Sequence, residues 1–144
     1  MARPDKTRSN QTPGSAASPA VPARKISETI LDFGAPLIFD LDTDQPIEIV
    51  HATMTIVITI WNAHVMAMPV WGKPDVLDQL EDLLRSPRAA PELIQTYHDL
   101  SQRRHEHFAS DPRSVGEWNV TIDAARLRLA CTAHVPPSLM THGA

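Results

Sequence analysis

The stretch Ile47–Trp71, IEIVHATMTIVITIWNAHVMAMPVW, decides the fold. It is the longest apolar run in the chain, and with histidines neutral it carries no formal charge between Glu48 and Lys73. Thr53–Ile60 alternates polar and apolar side chains for part of its length and is rich in β-branched residues, which favours a strand locally. Over the full run a helical wheel sorts better. At about 100° per residue, Glu48, His51, Thr55, Thr59 and Asn62 share one sector about 100° wide. Val50, Met54, Val57, Ile58, Trp61, Val65 and Met68 lie on the other side. The spacing predicts a helix of about 21 residues, roughly 31 Å long, ending at Met68 before Pro69. Such a run is also long enough for a membrane span. His51, Asn62, His64, the interspersed threonines and the lack of a basic cluster on either flank favour a buried core helix instead.

Shorter pieces on either side are patterned to cover that helix. Ser27 offers an N-cap and Glu28 an acidic first turn for a short helix through Phe33, ended by Gly34 and Pro36. Asp44 and Pro46 suit the cap and first turn of the central helix. After Pro74, Val76, Leu77, Leu80, Leu83 and Leu84 form the buried stripe of a third helix, with Asp75 and Asp78 at its start and Arg85 at its end. A fourth helix runs from Pro91 to about Ala109. Leu93, Tyr97, Leu100 and Phe108 are its inner stripe, with Arg104 and His107 on or beside it, and Asp111-Pro112 stops it.

The period then changes. Trp118, Val120 and Ile122 alternate with Asn119, Thr121 and Asp123. Beyond Ala124-Ala125, Leu127, Leu129, Cys131, Ala133 and Val135 alternate with polar or small residues, which is a β-hairpin with one apolar face. The chain therefore reads as α+β, about four helices around a long central apolar helix and then a C-terminal antiparallel β-hairpin. Residues 25–136 form one domain. Residues 1–24, rich in Pro, Ser and Ala, read as a disordered tail, and 137–144 as a second tail.

Composition narrows the class. A chain of 144 residues leaves about 110 after trimming, enough to bury about 65% of the unfolded surface without disulfides or metal. The single cysteine, Cys131, cannot form an internal disulfide, which favours a reducing, cytoplasmic setting. A net charge of -4 argues against a nucleic-acid binder that relies on a whole-surface positive field.

Several motifs invite chemistry. Leu37-Ile38-Phe39-Asp40 followed by Asp42 resembles the opening motif of haloacid-dehalogenase-type phosphotransferases, in which the first Asp is the nucleophile and the second an acid/base. The likeness covers about six residues. The family's usual Thr or Val two positions after the second Asp is Asp44, and no strand-helix alternation follows to carry its later motifs. The same run imitates a calcium loop through Asp40, Asp42 and Asp44, but Gln45 replaces the glycine at position six and His51 the glutamate at twelve.

His98, His105 and Glu106 on the fourth helix, with His51, are weak metal candidates. His98 and His105 share a face, whereas His105 and His107 point about 160° apart and cannot grip one ion; the zincin spacing is not met. Arg103, Arg104, Arg113, Arg126 and Arg128 form a basic patch if the hairpin and fourth helix adjoin. Cys131 and His134, three apart on a strand, face opposite sides and make no nucleophilic pair. No phosphate loop, nucleophile elbow or catalytic motif emerges, and no cofactor is indicated.

Lys25–Phe33 (KISETILDF), Ile60–His64 (IWNAH) and Asp111-Pro112-Arg113 with Trp118 together resemble small bacterial proteins of unknown function, over about residues 25–136. The resemblance implies a bacterial cytosolic protein and assigns no activity.

The expectation is a small non-enzymatic interaction or accessory protein, self-associating as a homodimer or binding another protein. One alternative is a metal-dependent hydrolase or nuclease using the fourth-helix histidines. Another is a nucleic-acid module using the arginine patch. The polar strip Glu48-His51-Thr55-Thr59-Asn62 is where a ligand would most readily sit.

Overall fold

The computed structural model describes residues 20–38, 45–124 and 126–142. The described residues form α1 (Ile26–Phe33), α2 (Ala35–Ile38), α3 (Ile47–Met66), α4 (Asp75–Leu84), α5 (Pro91–His107), β1 (Ser114–Asp123), β2 (Arg126–His134) and α6 (Pro137–His142). The architecture is α+β, with the long helix at the centre and an antiparallel hairpin after the helices. One detail differs from expectation. Among the described residues the helices are six, because Gly34 splits off the one-turn α2 and the supposed tail after Pro136 opens with α6. The acidic run Asp40–Asp44, with its phosphotransferase and calcium-loop resemblances, lies outside the described residues.

α3 is the core. Val50, Met54, Val57, Ile58, Trp61 and Val65 are all buried, as the wheel predicts, and Ile60 and Ala63 widen the buried arc. Ile26, Ile30 and Phe33 of α1, Tyr97 and Leu100 of α5, and Val115 and Val120 of β1 join them in one cluster. Each large apolar side chain so buried contributes about 1.5–3 kcal/mol. α3 is long and apolar enough to span a bilayer, and 44% of its most apolar window is buried inside the fold.

The helix ends show where tertiary contacts override capping signals. α3 has Pro46 at its N-cap with no side-chain cap, and it stops at Met66 rather than Met68. α1 begins at Ile26 with Lys25 at the cap, so Ser27 lies inside the helix instead of capping it. α1 and α3 approach closely at Gly34, where a Cβ would sit 2.8 Å from Val57 Cγ1. Any larger residue there would push the two helices apart.

The hairpin pairs Ser114 with His134 through Asp123 with Arg126, interrupted by an irregularity between Val115 and Trp118. Gly116 sits in that interruption, and a side chain there would collide with the His134 ring and with Thr132 Oγ1. At the tip Ala124 takes φ 51, the left-handed conformation that a tight two-residue turn demands. β1 lies along α3, and β2 reaches α1. Val120 is buried, while Trp118, Ile122, Leu127, Leu129 and Cys131 are half-buried against the core. A two-stranded hairpin is marginal alone; this one is held by the helices.

Two helical stripes need correction. α4 buries no side chain: Leu77, Leu80 and Leu84 are half-covered, and Val76 and Leu83 stay 43% and 69% exposed. The stripe is real, but α3 and α5 cover only part of its arc. On α5 the buried residues are Tyr97, Leu100 and Arg104, whereas Leu93 remains 36% exposed and His107 lies at the surface. Residues 20–24, grouped above with the tail, are tied to the domain. The Ala20 N–H donates to Ser110 O at 3.0 Å, and Arg24 O accepts from Arg113 Nη1 at 2.7 Å.

Candidate functional site

The metal candidates are placed apart. His51 is exposed and stacks on Trp118, ring centroids 4.7 Å apart. His98 lies against the edge of Tyr97, and His105 against the edge of His64. Glu106 accepts from the Gln102 side-chain amide at 2.9 Å. Among the described residues, no three His, Cys, Asp or Glu side chains are grouped closely enough to hold a metal ion.

The polar strip is divided between two tasks. Asn62, at its C-terminal end, turns to the hairpin. Its Nδ2 donates to Val115 O at 3.0 Å, and its Oδ1 accepts from Val115 N at 2.8 Å. The side-chain amide thus acts as one residue of an extra strand, satisfying the edge of β1 where pairing is irregular. Thr55 donates to His51 O at 2.9 Å, an i−4 bond within the helix. Glu48, His51, Thr55 and Thr59 remain exposed.

The five arginines do not form one patch. Arg103 reaches across to α1, donating to the Asp32 and Phe33 carbonyls and to Asp32 Oδ1 at 2.8–3.3 Å. It therefore satisfies the carbonyl end of α1, which has no basic residue in its last turn. Arg104 is buried with its guanidinium 4.3 Å from the Trp61 ring, and it donates to Asp111 O at 2.7 Å. Burial lowers its pKa to about 10, partly opposed by Asp111. Arg113 forms a buried pair with Asp111 at 2.9 Å and donates to Thr29 Oγ1 and Arg24 O. Only Arg126 and Arg128 are exposed, at the hairpin tip, where Arg128 meets Asp123 at 3.4 Å. Burial pushes the Cys131 thiol upward, against the pull of Arg113.

Sequence reasoning missed a polar cluster between α3, α4 and α5. His64 Nε2 and Ser101 Oγ share a hydrogen bond of 2.8 Å, and Tyr97 OH donates to Glu81 Oε2 at 2.7 Å. His64 also stacks on Tyr97. Burial, then the neighbouring His105 and Arg104 charges, lower the His64 pKa to about 4, with Glu81 opposing. Burial and the Glu81 contact push Tyr97 up to about 12. The i, i+4 spacing of Tyr97 and Ser101 puts both on the α3-facing side, a signal visible only once the helix pairing is known.

The neutral His64 ring is the folded form, so below about pH 6.5 the unfolded chain binds one more proton than the native one. Stability is then full above pH 6.5 and falls as pH drops toward 4. The linkage amounts to about 3 kcal/mol at most, and about 2 kcal/mol after allowing for residual solvent contact. Urea unfolding across that window is expected to show this slope. His64→Gln, which keeps a partner for Ser101 without titrating, is expected to remove most of it; an unchanged slope would assign it to other groups.

One concavity lacks any such internal use. A groove of about 150 Å³ lies between α3, α4 and α5. Ile56 and Ile60, Leu80 and Leu84, and Leu93 and Tyr97 line it, with Thr55 and Thr59 of the strip at its side. It offers apolar contact, with the Thr55 and Tyr97 hydroxyls bonded to His51 O and Glu81 Oε2, and no nucleophile-base pair. Comparison of the chain with known protein families, with curated proteins and with solved structures gives no match.

Proposed function

We propose that this chain is a small interaction or accessory protein that works by docking another protein surface against the α3–α4–α5 face. The observation that carries the reading is α4. Its sequence is strongly amphipathic, yet Val76 and Leu83 stand in solvent beside a groove lined by leucine and isoleucine. Exposed apolar surface that adjoins a preformed groove is costly unless a partner covers it. Three arginines of the supposed basic patch are instead engaged in holding elements together: Arg103 on α1, Arg104 on Trp61 and Arg113 on Asp111.

A test compares the proteins bound by the full chain with those bound by the Val76→Asp/Leu83→Asp variant, after circular dichroism has verified equal helicity. Both positions are exposed, so the fold is expected to tolerate the change. The reading predicts at least one partner bound by the first and lost, by tenfold or more in affinity, by the second. Identical binding by both would overturn it.

A further inference from the structure

We infer that the outer edge of β2 takes up an extended acidic segment of another protein as a third strand of the sheet. This surface is separate from the α3–α4–α5 face, and either can fail without the other. Asp123 and Arg126 close the two-residue turn as a hydrogen-bonded pair, so every second residue of β2 after Arg126 points its N–H and C=O away from β1. Those residues are Leu127, Leu129, Cys131 and Ala133. Val115, paired with Ala133, has the same outward sense on the opposite edge, and there Asn62 of α3 takes up both groups. β2 has no such clamp. α1 packs near it, yet among the described residues no backbone hydrogen bond from another segment reaches it. No residue of β2 is buried. The strand also lacks the devices that close an edge, since it holds no proline and the extra residue of the hairpin's irregularity falls on β1.

Charge chooses the occupant. The solvent face of β2 carries Arg126 and Arg128, both exposed, and the strand contains no carboxylate. Asp123 is engaged by Arg128 at 3.4 Å, which leaves Arg126 without an ion pair among the described residues. A strand with Asp or Glu at alternate positions sets its carboxylates beside this row. Its intervening apolar side chains then extend the half-buried face of Leu127, Leu129 and Cys131. A second β2 would bring the same two arginines and no acid. The N-terminal stretch of this chain carries Arg3, Lys6 and Arg8 against Asp5. Like charges on neighbouring strands repel, so both are poorer occupants than an acidic partner.

The test uses the full chain with a fluorescent peptide as long as β2 that alternates Glu and Val, and with its Lys–Val counterpart. The Glu–Val peptide is expected to bind at least tenfold tighter, and to weaken as salt is raised. Binding is expected to slow amide exchange at Leu127, Leu129 and Cys131 at least tenfold, whereas Arg128 and Ala130, already bonded to β1, change little. Arg126→Glu/Arg128→Glu is expected to reverse the preference between the two peptides. Arg126→Gln/Arg128→Gln, which adds no charge, is expected to abolish it, with circular dichroism verifying that each variant is folded. Absence of binding, equal binding of the two peptides, or binding that leaves the three amides unprotected overturns the inference. So does protection of those amides that rises with protein concentration alone, which would give the edge to a second copy.

Discussion

Replacing Asp111 with alanine is expected to destabilise the domain by about 3–5 kcal/mol, the usual cost of removing one partner from a buried ion pair. Asp111 and Arg113 are 3% and 5% exposed. Asp111 Oδ1 accepts from Arg113 N at 3.0 Å and from Nε at 3.1 Å, and Oδ2 accepts from Nη2 at 2.9 Å. Without the carboxylate the guanidinium stays buried with only Thr29 Oγ1 and the Arg24 carbonyl. Arg113→Met is expected to do comparable harm by orphaning the carboxylate. The double variant Asp111→Ala/Arg113→Met, which buries no lone charge, is expected to recover part of the loss. Urea denaturation of the three variants checks this, and strictly additive losses would show that the pair is not coupled.

Asn62→Leu is expected to cost about 2–4 kcal/mol, because one substitution leaves both the Val115 N–H and the Val115 carbonyl without their partner. Leu keeps the heavy-atom count and branching of Asn, so the main loss is that of the two hydrogen bonds of 2.8 and 3.0 Å. Hydrogen exchange gives a local readout: the Val115 amide is expected to exchange faster, by more than the global loss alone accounts for. If the melting temperature and Val115 protection both hold, the amide is not the hairpin's clamp.

The two residues differ in how far the sequence announces them. The central helix and the hairpin are legible because periodicities of 3.6 and 2 report burial directly, and Trp61, Val57 and Val120 lie where their spacing puts them. Asn62 is legible as polar on an apolar helix, but its partner lies 53 positions away. The same limit applies to the arginines. Composition shows five cations in the last third of the chain; it cannot show that Arg103 ends on a helix terminus 71 positions earlier or that Arg104 lies on Trp61. The α4 stripe is read correctly as apolar and wrongly as buried. Amphipathicity measures what a helix can cover, and the width of the neighbouring elements decides what is covered.

The Asp111–Arg113 junction also bears on how the chain is made. Arg113 is tied to Thr29 and Arg24 at separations of 84 and 89 residues, and Arg103 to Asp32 at 71. α1, synthesised early, thus has part of its carbonyl end and of its leading segment satisfied by residues that leave the ribosome much later. A nascent chain arrested before Arg113 is expected to leave α1 undocked and α3 open along that side. Such distant closures slow folding, so the native core is expected to close only after Arg113 has been synthesised.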